Sequence, residues 1–209
     1  NQVVCNNTAT NAVNFSTTNT NGTTSYAWSI NTNIGLSPLT GTGDLPSFTA
    51  INTGTTPITA TITVTPTYNG TSICNGTSKT FTITVNPSGQ VNQPTNQVVC
   101  NNTATSTVNF STTNTVGTTS YAWSFDTNIG LIPLTGSGNI PSFTAINTGT
   151  TPIVATITVT PTFTNGATNC IGTPKTFTIT VNPSGQVNQP TNQVVCNNTA
   201  TNAVNFSTT

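Results

Sequence analysis

Apolar and polar residues alternate one for one through long stretches of this chain. In PITATITVTPT (57–67), Ile58, Ala60, Ile62 and Val64 fall on one side and Thr59, Thr61 and Thr63 on the other. KTFTITVNP (79–87) sets Phe81, Ile83 and Val85 against Thr80, Thr82 and Thr84. VNFST (13–17) sets Val13 and Phe15 against Asn14, and SYAWSI (25–30) puts Tyr26, Trp28 and Ile30 on one face. A period of two with one apolar face is the pattern of an antiparallel sheet packed on one side. It predicts strands near 2–5, 12–18, 24–30, 46–52, 57–67 and 79–86, and the same set one repeat later. Runs of helix formers are missing, and turn residues come about every eight to twelve positions. The expected class is all-β: antiparallel β-sandwich domains in tandem.

The tandem is legible because the chain repeats itself. NQVVCNNTATNAVNFSTT opens at Asn1 and returns letter for letter at Asn192, with the variant NQVVCNNTATSTVNFSTT at Asn96. The spacings are 96 − 1 = 95 and 192 − 96 = 96, and the extra residue sits where TYNGTSICNG is answered by TFTNGATNCIG. The stretch NPSGQVNQPT is identical at 86–95 and 182–191. A unit of this length is a whole domain rather than a solenoid repeat. The division is therefore repeat 1 at 1–86, a linker at 87–95, repeat 2 at 96–182, a linker at 183–191, and the opening of a third repeat at 192–209. That opening is too short to bury a core by itself. It belongs to a longer covalent array or completes a fold with another molecule, as donor-strand polymers do. The linkers, with two prolines and little to bury, read as short and semi-stiff. Trp28 and Trp123, mid-strand between polar neighbours, are expected in the core with Phe15, Phe110, Phe81 and Phe177. An exposed sugar-stacking platform is the alternative for the tryptophans.

Charge changes the picture by its absence. Charged residues make up 2% of the chain: Lys79, Lys175, Asp44 and Asp126, with no histidine. Net charge near zero offers no handle for nucleic acid or an anionic membrane, and leaves self-association unopposed. No apolar run reaches the roughly 18 residues of a membrane span, and no leader pattern opens the chain. An enzyme is not expected. General acid–base chemistry needs a histidine or a tuned carboxylate, and the two aspartates lie at non-equivalent places in the repeat. Repeat 2 has Asn139 where repeat 1 has Asp44, and repeat 1 has Asn31 where repeat 2 has Asp126. No catalytic, metal-binding or cofactor-binding residue is assigned.

The five cysteines follow the repeat: Cys5 and Cys74, Cys100 and Cys170, then Cys196 alone. One pair per repeat implies bridges Cys5–Cys74 and Cys100–Cys170, with the partner of Cys196 beyond Thr209; buried free thiols are the alternative. Bridges imply an oxidising, extracellular setting. Glycosylation acceptors of the form N-x-[ST] occur at Asn6, Asn14, Asn21, Asn69, Asn75, Asn101, Asn109, Asn197 and Asn205. A chain this rich in Asn, Ser and Thr yields about that many by chance, so placement says more than number. The T-x-T rows also match the spacing of an ice-binding face, but Val154 replaces Thr59 in repeat 2.

The order of Cys5, Tyr26 and Trp28, Gly41 and Gly43, Pro46, Phe48, Asn52 and Gly54, then Thr65 and Pro66, Gly76 and Pro87 resembles the PKD-like, Ig-type repeats of flavobacterial giant surface adhesins, gliding adhesins among them. The resemblance covers essentially the whole chain. It departs after Trp28, where SINTNIG stands in place of an acidic, glycine-rich turn. It implies Ig-like/PKD-like beads in a rod or fibril at a bacterial cell surface: a non-catalytic stalk whose partners are its own neighbours and attached or bound glycans. An array of carbohydrate-binding modules, or a donor-strand filament subunit, is the rival reading.

Overall fold

The computed structural model describes residues 1–208, and every regular element among them is a strand. In repeat 1 these are β1 (Gln2–Cys5), β2 (Thr23–Ile30), β3 (Thr40–Thr42), β4 (Ile58–Asn69), β5 (Ile73–Asn75) and β6 (Lys79–Asn86). Repeat 2 supplies β7 (Gln97–Cys100), β8 (Thr118–Phe125), β9 (Thr135–Ser137), β10 (Ile153–Asn165), β11 (Thr168–Ile171) and β12 (Lys175–Asn182). The first sheet runs β1-β6-β4-β2-β3 with β5 on the side of β4, and the second repeats this as β7-β12-β10-β8-β9 with β11 on β10. Both are mixed, since β1 lies parallel to β6 and β7 parallel to β12 while the other described pairings are antiparallel.

The inner face of the first sheet carries Trp28, Ile30, Ala60, Ile62, Val64, Ile83 and Val85, all buried, as the alternation predicts. Against it lie Ile34, Leu36, Leu45 and Ala50 from irregular segments, completing a sandwich whose second layer is barely a sheet. The strands expected at 12–18 and 46–52 are reduced to the isolated bridges Val13↔Leu45 and Ala9↔Thr49. The reason is local. Pro46 has no N–H to donate, Gly43 turns the chain at a φ of 73°, and the Phe15 N–H bonds Oδ1 of Asp44 at 2.8 Å instead of a neighbouring strand.

Side-chain amides supplement the scattered backbone bonds of this layer, such as Thr10 N to the Phe48 carbonyl at 2.9 Å. Asn52 is buried; its Nδ2 donates to the carbonyls of Thr56 at 2.8 Å and Val85 at 2.7 Å, and its Oδ1 accepts from Gly54 N at 3.0 Å. Its own N–H reaches Oδ1 of Asn6 at 2.8 Å, tying the turn after β1 to the second layer. Asn147 and Asn101 repeat the arrangement.

The aspartates fall into the same structural pattern. Thr156 donates its N–H to Asp126 Oδ1 at 2.8 Å, and Thr61 donates likewise to Asn31 Oδ1 at 2.8 Å. Amide and carboxylate are interchangeable there because only an acceptor oxygen is needed.

The chain divides into two compact units that do not follow the repeats. One comprises 1–93, 110–123 and 159–175; the other comprises 94–109, 124–158 and 176–209.

Candidate assembly site in the first compact unit

Strand register decides the cysteine pairing. Cys5 ends β1 beside Asn86, and Val85 faces Ile58, so Cys5 lies level with position 57, just before β4 begins. Cys74 faces Tyr68 near the other end of the same strand. The 68 − 57 = 11 intervening residues span roughly 36 Å at about 3.3 Å each. A disulfide joins Cα atoms no more than about 7 Å apart. The expected Cys5–Cys74 bridge is therefore impossible within one sheet, and the expected Cys100–Cys170 bridge fails with it. Cys5 is bonded to Cys170 instead, with Cα atoms 5.4 Å apart and 165 residues between them in sequence. Cys74, Cys100 and Cys196 are free and exposed.

Two elements present Cys170. The hairpin of β10 and β11, turned at Asn165–Thr168 with Gly166 at a φ of 60°, sets Cys170 opposite Phe163. The segment leaving β6, Asn86-Pro87-Ser88-Gly89-Gln90-Val91, then runs against this hairpin. Gly89 N donates to the Cys170 carbonyl at 3.1 Å, and Asn165 Nδ2 donates to Asn86 Oδ1 at 3.0 Å. Asn114 gathers the other side: its Oδ1 accepts from Gln90 N at 2.9 Å, and its Nδ2 reaches the carbonyls of Thr55 and Ser88, each at 3.4 Å. Thr113 Oγ1 donates to Gln90 Oε1, and Asn92 N donates to the Ser111 carbonyl at 2.8 Å.

Glycine is required at two points of this joint. A Cβ on Gly89 would stand 2.6 Å from the Pro161 oxygen, and one on Gly172 would strike the Gly89 carbonyl. Backbone meets backbone here, so neither neighbour can yield. The segment expected to have little to bury is in fact enclosed: Pro87, Gly89 and Val91 are buried.

The equivalent surfaces elsewhere in the chain stand open. Val187, the counterpart of Val91, is 62% exposed, against 4% for Val91. Nothing lies within 4 Å of a Cβ built on Gly185, the counterpart of Gly89. At the β4–β5 end of repeat 1, Cys74 and Gly76 are exposed where their counterparts Cys170 and Gly172 are buried. A groove of about 820 Å³ opens beside them, lined by Phe15, Tyr26, Pro66, Tyr68, Cys74 and Phe81 among others.

The expected core aromatics divide accordingly. Trp28 and Trp123 are buried at 7% and 8% exposure and Phe177 at 2%, while Phe15, Phe81 and Phe110 are half-buried. Phe15 stacks obliquely on Tyr26 with centroids 5.5 Å apart, and Phe110 on Tyr121 at 5.3 Å.

Among the acceptor asparagines, Asn6 and Asn101 are occupied by structure, because their Nδ2 atoms donate to Ser88 and Ser184 at 3.3 and 3.1 Å. Asn69 is also engaged, through Ser25 and Thr67. Asn14, Asn21, Asn75, Asn109, Asn197 and Asn205 are exposed.

The joint carries no nucleophile–base pair, and its chemistry is that of a covalent and hydrogen-bonded clasp. Sequence reasoning missed Gly89, Val91, Asn114 and Gly172; the letter-identical NPSGQV at both joints was the signal available for the first two.

No family model matches the chain, and no curated protein matches it. Among solved structures, the cadherin-like domains 1 to 4 of zebrafish RET are similar over 78% of this chain, at 14% identity and a TM-score of 0.26. The similarity spans 41% of that chain.

Proposed function

We propose that this chain is a non-catalytic, tension-resisting segment of an extracellular fibril or surface adhesin, built of β-sandwich repeats clasped end to end. The observation that carries the reading is the Cys5–Cys170 bond, which joins the end of one repeat to the next and sits over a buried connector. A connector needed only as a flexible tether gains nothing from being enclosed. A disulfide favours an oxidising compartment, and an almost uncharged, Thr- and Asn-rich surface suits side-by-side association. Asn14 and Asn109, exposed at equivalent places in the two repeats, are the acceptors best placed for sugars. The carbohydrate-binding rival is less well supported, because both tryptophans are buried.

Pulling single molecules from their termini tests the reading. The 165 residues between the bonded cysteines are shielded from extension while the bond holds. Reduction should release about 580 Å of extra contour in total, at roughly 3.5 Å per residue. Two separate gains of about 240 Å, one per repeat, would signal bridges within repeats and would overturn the clasp.

A further inference from the structure

We propose that Asn165 is a self-modifying residue: with the N–H of Gly166 it sheds its side-chain nitrogen as ammonia and so places a carboxyl group in the joint. The site is independent of the mechanical reading above, since it needs only the β10–β11 turn and its contact with Asn86.

The one length difference between the repeats creates the turn. In repeat 1 the hairpin rungs end at Asn69↔Ile73, leaving Gly70, Thr71 and Ser72 as the loop, and Gly70 N donates to the Ser72 carbonyl at 3.3 Å. The extra residue of repeat 2 adds the rung Asn165↔Thr168 and shortens the loop to Gly166 and Ala167. Glycine stands first in this two-residue turn, at a φ of 60°. Its N–H lies outside both strands and donates to no group among the described residues. A Cβ built on it would meet nothing within 4 Å, so the turn is open to water.

Asparagine followed by glycine is the pair in which this chemistry runs most readily, because no Cβ obstructs the backbone nitrogen as it approaches the side-chain carbon. The chain holds four such pairs, at Asn21, Asn69, Asn75 and Asn165. The Gly76 N–H is taken by the Pro66 carbonyl at 2.8 Å and the Gly70 N–H by Ser72, which holds back Asn75 and Asn69. Gly22 and Gly166 are not so engaged, and of their partners only Asn165 reaches into the joint.

What Asn165 touches there is suited to the product. Its Nδ2 donates to Asn86 Oδ1 at 3.0 Å. Asn86 is fully buried, and its own Nδ2 has no partner among the described residues. A buried N–H without an acceptor is costly. With a carboxylate at 165, the Asn86 amide can turn over and donate to a charged oxygen, a stronger bond than the neutral one it replaces. The amide oxygen is then the atom left over, the better tolerated of the two.

The step balances with water alone. Gly166 N gives its proton to a water base and bonds to Cγ of Asn165; the Cγ–Nδ2 bond breaks, and the nitrogen takes a proton from water and leaves as ammonia. Water then opens the five-membered imide. Breaking the ring bond to Cγ yields aspartate; breaking the ring bond to the main-chain carbonyl carbon yields isoaspartate. Either product adds one negative charge to a chain whose net charge is zero.

The test incubates the full, oxidised chain at neutral and at mildly acidic pH and follows each asparagine by peptide mass mapping. At neutral pH Asn165 should convert several-fold faster than Asn69 and Asn75, and a more acidic species should appear on isoelectric focusing. Acid should slow the conversion, because the attacking nitrogen must shed a proton. In the reduced chain unfolded by urea the three rates should converge; a ranking that survives unfolding would overturn the proposal, since it would belong to sequence and not to the turn. A threonine inserted after Tyr68 gives repeat 1 the β10–β11 layout without touching the joint, and the asparagine of that hairpin should then convert as fast as Asn165. An asparagine unmoved by the insertion, or an Asn165 no faster than Asn75 in the folded chain, also overturns it. Asn165→Asp, the product itself, should form the Cys5–Cys170 bond as fully as the unmodified chain, and failure to do so would show that the joint does not receive a carboxylate.

Discussion

Buried amides do at single positions what a second sheet does elsewhere. Asn52 makes two donations and accepts once with its side chain, all to backbone. Asn52→Ala removes the partner of the buried Val85 carbonyl and leaves the more exposed Thr56 carbonyl and Gly54 N–H to water, so we expect a loss of about 1–3 kcal/mol, readable as a lower urea midpoint. Asp126 illustrates the opposite, a charge that is replaceable. The Thr156 N–H holds its carboxyl below the ordinary 3.8, so its contribution is full above that value and is lost as pH falls through the lowered one. Asp126→Asn keeps the acceptor oxygen and removes the titration. Melting temperature near neutrality should hardly change, while the decline below about pH 4 should shrink relative to the unmodified chain, which thermal scans across that range would show.

Among the elements, the long strand β4 is the organising one. It pairs with β6 and β2 along its length and with β5 at its far end, whereas β3 is a three-residue edge. Hydrogen exchange should therefore be slowest at Ala60, Ile62 and Val64 and fastest in β3 and in the 8–15 segment; equal rates would show that the second layer is as firmly paired as the sheet. The central strands were legible because period-two alternation is a local signal, and Ile58–Val64 and Phe81–Val85 display it without interruption. The second layer was not, because Gly43, Asp44 and Pro46 break the ladder while leaving the apolar residues that mimic one. The parallel placement of β1 beside β6 was invisible for a different reason: it is a long-range choice that no short pattern encodes.

At the scale of the whole chain, the cysteine count could not reveal the pairing. One cysteine at each end of each sheet gives two per repeat whether bonds form within repeats or between them. Only the distance along β4 separates the cases, and that distance needs the register. The joint itself was half legible. Its identity at 86–95 and 182–191 was plain, but proline and glycine in a short polar stretch look the same in a free tether and in a connector pressed backbone to backbone.

The Cys5–Cys170 bond also makes the chain a closed loop over most of its length. A protease that cuts one peptide bond anywhere from residue 6 to 169 leaves both fragments joined through sulfur. Two strokes are needed inside that loop to excise a piece, and even then the outer ends remain attached. On the extracellular reading proposed above, a nick becomes a scar rather than a severance.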